Sequence, residues 1–188
     1  VDYFFNDFTV DLWVKPMNDG VLLANRQKEY DKGAKGWLLF VENGTLKFRY
    51  SPSNQFNKPT YEPASDEQKT IEGGKLNMGE WAHVAITEKR DGSIRLYVNG
   101  MLTGEGERYR REHTLNNSTY LSLFADAFEY APIEAAVDEL KIWNYELNEE
   151  EIRREMYSVN VDNRNGLVAY YAFNGDNLST DNGCNISW

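Results

Sequence analysis

Chemistry needs nucleophiles, acid–base pairs or metal ligands, and this chain holds few of them. Its 188 residues include one cysteine, Cys184, and two histidines, His83 and His113. A zinc site normally takes three or four N or S ligands, so the material for one is short. No Gly-x-Ser-x-Gly elbow occurs, and no histidine stands where it could serve a nucleophile. Carboxylates are abundant, with 30 Asp and Glu, and a pair of them could hydrolyse a glycosidic bond. Retaining hydrolysis requires the two groups about 5 Å apart across one cleft. The nearest acidic strand pattern reads Glu134-Ala135-Ala136-Val137-Asp138-Glu139-Leu140. Neighbouring strand residues point to opposite faces, so Asp138 and Glu139 are not expected to share a substrate, and Glu134 precedes the strand. The expectation is a domain that is not an enzyme.

Binding without chemistry is better supplied. A pyranose is held by an exposed ring under its face and by planar hydrogen-bonding groups at its edge. The candidates for such contacts are Tyr30, Trp37, Arg49, Tyr50 and Tyr61, on strand ends, an expected concave sheet and loops. A net charge of -10 opposes nucleic acid, whose phosphates are bound by clustered Lys and Arg. It equally opposes an anionic membrane surface. No apolar run approaches the roughly 18 residues of a membrane span. The expected partner is a neutral glycan, or neighbouring domains of the same protein.

The elements that would position these residues are mostly short strands. Phe8 to Val14 alternates apolar and polar and stops at Lys15-Pro16. Trp37 to Val41 and Leu46 to Tyr50 flank Asn43-Gly44, and Trp81 to Thr87 and Ile94 to Val98 flank Asp91-Gly92, two hairpin signals. Asn99-Gly100 marks a further turn before Met101. Tyr120 to Phe124, Ala136 to Trp143 and Gly166 to Phe173 complete the set. Strands at this spacing predict an all-β sandwich or barrel. One short helix is signalled near the C-terminus: Asn148 and Glu151 form a capping-box pattern, with Leu147 and Ile152 placed as a hydrophobic staple. Residues 51–75 and 104–118 are long polar connections without a strand period. Connections of this length are often functional.

Three segments, in order, carry a family resemblance. Phe8-Thr9-Val10-Asp11-Leu12-Trp13-Val14-Lys15-Pro16 resembles the opening strand of laminin G-like, concanavalin A-like lectin/glucanase jelly rolls of bacterial cell-surface type. Glu80-Trp81-Ala82-His83-Val84-Ala85 with Arg95-Leu96-Tyr97-Val98-Asn99-Gly100 resembles their central hairpin. Val137-Asp138-Glu139-Leu140-Lys141-Ile142-Trp143-Asn144, followed by Leu147 and Glu149 to Ile152, is similar to their closing strand and helix. The resemblance implies a jelly roll over residues 1–160. In this reading Trp13, Trp81 and Trp143 pack between the sheets and His83 is a structural histidine. Residues 161–188 resemble a segment that opens or follows such domains, and either close this sandwich or start a following repeat. The resemblance further implies a structural calcium ion with Asp138 as a ligand, near a turn like Asp181 to Asn185. Taken together it implies a non-catalytic carbohydrate-binding domain, extracytoplasmic, from a bacterial surface or secreted glycan-utilisation protein. The alternative is an adhesion or spacer module with no sugar site.

Overall fold

The computed structural model describes residues 7–29, 33–51, 69–89, 92–107, 119–125, 131–159, 165–174, 180–181 and 186–187. In chain order the elements are β1 (Phe8–Pro16), β2 (Gly20–Glu29), β3 (Gly33–Glu42), β4 (Thr45–Ser51), β5 (Lys69–Lys75), β6 (Ala82–Glu88), β7 (Ser93–Val98), β8 (Met101–Glu107), β9 (Leu121–Leu123), β10 (Ala135–Trp143), α1 (Glu149–Glu155), β11 (Leu167–Tyr171), β12 (Thr180–Asp181) and β13 (Ile186–Ser187). They build two facing sheets, a seven-stranded one ordered β12-β11-β10-β1-β6-β7-β8 and a six-stranded one ordered β13-β9-β2-β3-β4-β5. Pairing is antiparallel except for the two-residue contact of β13 with β9. This is the two-sheet antiparallel jelly-roll sandwich, with one short helix, that the family resemblance implied.

The turns follow from their residues. Asn43 and Gly44 both hold positive φ, 52° and 68°, as do Asn99 and Gly100, at 51° and 73°. Two consecutive positive φ angles give a turn whose twist matches the flanking strands, and Asn-Gly adopts them at low cost. Strand β5 falls inside a stretch read as loop. Its sequence, Lys-Thr-Ile-Glu-Gly-Gly-Lys, puts only Ile71 into the core. Its glycines belong to a close approach between sheet edges, completed from the other side by Gly104. A Cβ on Gly104 would stand 2.2 Å from the Glu72 carbonyl oxygen.

The core between the sheets takes Val10, Leu12 and Val14 from β1, Trp37, Leu39 and Val41 from β3, and Leu46, Phe48 and Tyr50 from β4. Trp37 links the layers, with Phe8 6.4 Å away on one side and Phe48 5.8 Å away on the other. The inter-sheet role expected of three other tryptophans is not what the structure shows. Trp143 is buried on the outer side of the seven-stranded sheet, beneath α1, with Ala85, Tyr97, Leu147 and Ile152. Trp13 is half-buried there, its indole N–H donating to the Met156 carbonyl at 2.9 Å. Trp81 is 47% exposed. The helix adds a third layer over part of the seven-stranded sheet, so β1 is buried along most of its length.

Helix α1 forms as its signals require. The Asn148 side chain accepts from the amides of Glu150 and Glu151, and Glu151 reaches back to the Asn148 amide at 2.8 Å. Leu147 and Ile152 are fully buried. Below the helix runs a polar seam. Asp11 accepts the Trp143 indole N–H at 2.8 Å and lies 3.1 Å from His83 Nε2, all three side chains being buried. His83 is thus structural, as the sequence suggested. Lys141, also buried, donates to the Glu155 carbonyl at 2.7 Å.

Beyond the helix, β11 lies beside β10 in the seven-stranded sheet, with Leu140 opposite Tyr171 and Ile142 opposite Ala169. Its Ala169 and Tyr171 enter the core.

Candidate functional site

One end of the six-stranded sheet gathers the long connections. Glu29 of β2 pairs with Gly33 of β3, and Gly36 pairs with Ser51 of β4. Tyr50 in turn pairs with Lys69 of β5. The segments 30–32 and 52–68 therefore leave from and return to this same end. The connection into β9 arrives there too, since Asn25 donates to the Thr119 carbonyl at 3.0 Å. The exit from β8 lies close by, because the Tyr50 hydroxyl donates to the Glu107 carbonyl at 2.8 Å.

The five ring and guanidinium candidates separate into three groups. Trp37 and Tyr50 face inward and are 1% and 0% exposed. Their expected ligand contact is corrected: both ring systems are consumed by inter-sheet packing, and Tyr50 by its bond to β8. Arg49 is half-buried on the opposite, outward face of the sheet. Tyr30 and Tyr61 lie outside the described residues.

Arg49 is held in a defined position. Its Nε donates to Thr70 Oγ1 at 2.9 Å, and its guanidinium carbon lies 5.2 Å from the Phe40 ring centroid, within cation–π range. Phe40 belongs to a small outward cluster with Val21, Ala24 and Leu38, all buried. Arg26 shares that face, being opposite Gly36 two positions along from the Ala24–Leu38 pair. At the edge of the same end stands Tyr120, 63% exposed, one residue before β9. Sequence reading placed Tyr120 at a strand start and did not single it out as an exposed ring.

Lower on the same face, Lys47 bridges Glu42 at 2.9 Å and Glu72 at 2.7 Å. The hydrogen bonds Lys47 donates to Glu72 and Glu42 raise its pKa above the ordinary value. The Lys47 bond in turn lowers that of Glu72. On the helix side, burial raises the Tyr97 phenol.

Asp138, expected as a calcium ligand, sits in a distorted part of β10. Trp13 pairs with Asp138 while Asp11 pairs with Lys141, so β10 carries one extra residue there. This is a bulge, with Glu139 at φ 54°. Asp138 Oδ1 accepts the Glu139 amide at 3.0 Å, and the Glu139 carboxylate accepts the Tyr170 hydroxyl at 2.6 Å. The bulge corrects the simple alternation that put Asp138 and Glu139 on opposite faces: Trp13 and Tyr170, their partners, both lie on the helix side. Calcium takes six to eight oxygens, yet no three His, Cys, Asp or Glu side chains converge among the described residues. Asp181 pairs with Ala169, which pairs with Ile142, four residues along β10 from Asp138. At about 3.3 Å per residue that separation is roughly 13 Å along the strand alone. Residues 182–185 of the turn expected beside Asp138 lie outside the described residues.

A family model for the concanavalin A-like lectin/glucanases superfamily matches residues 2–153. This chain belongs to that superfamily. Among solved structures the superfamily fold recurs in a candidate carbohydrate-binding protein from Bacteroides ovatus, 16% identical, with a TM-score of 0.63 over 90% of this chain and 46% of that one. It recurs in a heptameric SAP-like pentraxin from Limulus polyphemus, 19% identical, with a TM-score of 0.56 over 79% of this chain and 69% of that one. The binding domain of botulinum neurotoxin DC, solved in complex with SialylT, is 15% identical with a TM-score of 0.57, covering 80% of this chain and 35% of that one. At these identities the likeness is one of fold. This lectin-superfamily chain spans less than half of the first and third structures. No curated protein matches it.

Proposed function

We propose that this domain binds a glycan without acting on it, at the loop-bearing end of the six-stranded sheet. The observation that carries the reading is Arg49, fixed by Thr70 and Phe40 on the outward face of a lectin-superfamily sheet. A preset guanidinium offers planar donors at little entropic cost, and Tyr120 offers an exposed ring at the same end. Two of the structural relatives are named for binding carbohydrate or were solved with SialylT, which supports the same reading. In this reading the domain works outside the cytoplasm, on a bacterial surface or in a secreted glycan-utilisation protein. The test is a glycan array followed by calorimetry on the best hit. Arg49→Ala and Tyr120→Ala are each expected to weaken binding about tenfold, or ~1.4 kcal/mol. Silence across a broad array rejects the proposal.

A second reading, contact with a protein or a neighbouring domain, draws on a different surface. Apart from Tyr120, the exposed large apolar residues among those described are Met17, Met78, Trp81, Met101, Leu102, Tyr157 and Val159. They gather at the far end of the sandwich. The Gly79 amide bonds the Pro16 carbonyl, and the Asn99 amide bonds the His83 carbonyl. Arg153 bonds the Gly100 carbonyl, and Trp13 bonds the end of α1. Aromatic, Met and Arg side chains are the types enriched in protein interfaces.

A further inference from the structure

The edge of β10 is covered by a strand that reaches it from beyond the helix. Between them, Leu140 pairs with Tyr171, Lys141 with Tyr170 and Ile142 with Ala169, and the register slips before Trp143 meets Leu167. Behind this edge lie Leu140 and Ile142, buried in the core. Tyr171 stacks on Phe173 at 6.2 Å and Tyr170 donates to Glu139. Without β11, β10 would present a row of unpaired backbone groups backed by exposed core, a ready template for another strand. The superfamily match ends at residue 153, before this strand begins. The connection starts on exposed residues, Tyr157 at 75% and Val159 at 60%, and ends at the exposed Asn165.

We propose that the slot beside β10 accepts β11 from a second copy of this chain, giving a reciprocal strand-exchanged dimer. The occupant is fixed by what the slot already holds: a strand of sequence Leu-Val-Ala-Tyr-Tyr whose first, third and fifth side chains pack against apolar clusters and whose fourth meets Glu139. Closed monomer and exchanged dimer keep the same strand pairs and core contacts. They differ only in the path of residues 157–166 and in the loss of translational freedom. A segment tethered to its own slot enjoys an effective concentration in the millimolar range, so the intact chain closes on itself at micromolar concentration. A connection too short to return shifts the balance to the dimer, as hinge changes do in other exchanged proteins.

Two experiments test this. Deleting residues 160–164 is expected to convert a monomer at 10 µM into a dimer by light scattering, with the wild-type far-ultraviolet spectrum. A folded monomer with the wild-type melting temperature overturns the proposal. Because the deletion could simply unfold the chain, the second experiment keeps the full sequence length. Residues 160–164 are replaced by a protease site and the folded protein is cut. Excess fluorescein-labelled peptide of residues 165–188 is then added. Capture of the peptide, with release of the original segment, supports exchange. Failure to capture it overturns the proposal, whether the cut protein stays closed or falls apart. So does a cut protein that loses the segment and melts unchanged.

Discussion

Individual residues in this domain divide by what surrounds their polar atoms. Asp11 is the buried hub of the seam under α1, accepting the Trp143 indole and facing His83 Nε2. Asp11→Ala leaves a buried indole N–H without its acceptor, at a cost of about 1–3 kcal/mol. Trp143→Phe strands the opposite partner, a buried carboxylate oxygen of Asp11, and is expected to lose at least as much. Urea unfolding of the two variants measures both losses, and a Trp143→Phe protein as stable as the wild type would contradict the hub role. Glu72 behaves differently because it is exposed. Its folded pKa lies below its unfolded value, so its share of stability is present above the ordinary carboxylate range and is lost as pH falls through the depressed pKa. Lys47, raised by the same bonds, contributes below the ordinary lysine value and stops as pH rises through its own. In Lys47→Met, the Glu72 carboxyl is expected to titrate nearer the ordinary range by 13C NMR, with little change in melting temperature. Asp138→Asn keeps the acceptor that the Glu139 amide uses, so melting temperatures in calcium and in EDTA should agree for both proteins. A calcium-dependent rise confined to the native protein would make Asp138 a ligand after all.

At the scale of elements, the legible and illegible features have separate physical causes. Local signals were strong where one or two residues decide the backbone: the Asn43-Gly44 and Asn99-Gly100 turns and the Asn148 cap appear where their chemistry puts them. Asn148→Ala is expected to cost about 1 kcal/mol, seen as a lower urea midpoint with an unchanged slope. The placing of the tryptophans was not legible. Period two tells which residues share a face, but not which face meets the other sheet. Here α1 buries the outer face of β1, β6 and β10 as well as the inner one, so Trp13 and Trp143 on the helix side read like Leu12 and Leu140 on the core side. Strand β5 was hidden because Gly73 and Gly74 serve a close approach rather than a core, and the bulge at Glu139 was hidden because no glycine announces it. The ligand candidates suffered from the same ambiguity. Trp37 and Tyr50 alternate with Leu38 and Arg49, and sequence alone does not say which member of each pair faces out.

Considered whole, the sandwich has two chemically different ends. Arg49 pairs with Leu38, four residues along β3 from Glu42 at the other end, so the far end begins about 13 Å away along the strand at the usual rise. One end carries Arg49, Tyr120 and the strand ends of the long connections; the other carries Met17, Met78, Trp81 and Met101 beside the end of α1. Perturbations at such a distance, with no shared partner, act independently to within about 0.5 kcal/mol. Arg49→Ala should therefore weaken glycan binding and leave capture of a protein partner untouched. Trp81→Ser with Met101→Ser should do the reverse, since both side chains are already about half in water and their loss costs the fold little. Calorimetry for the glycan and sedimentation for association, run on both variants, give four readings. If the Trp81 and Met101 changes lowered glycan affinity as much as Arg49→Ala, the two ends would be one coupled site, and assigning sugar to the Arg49 end would fail.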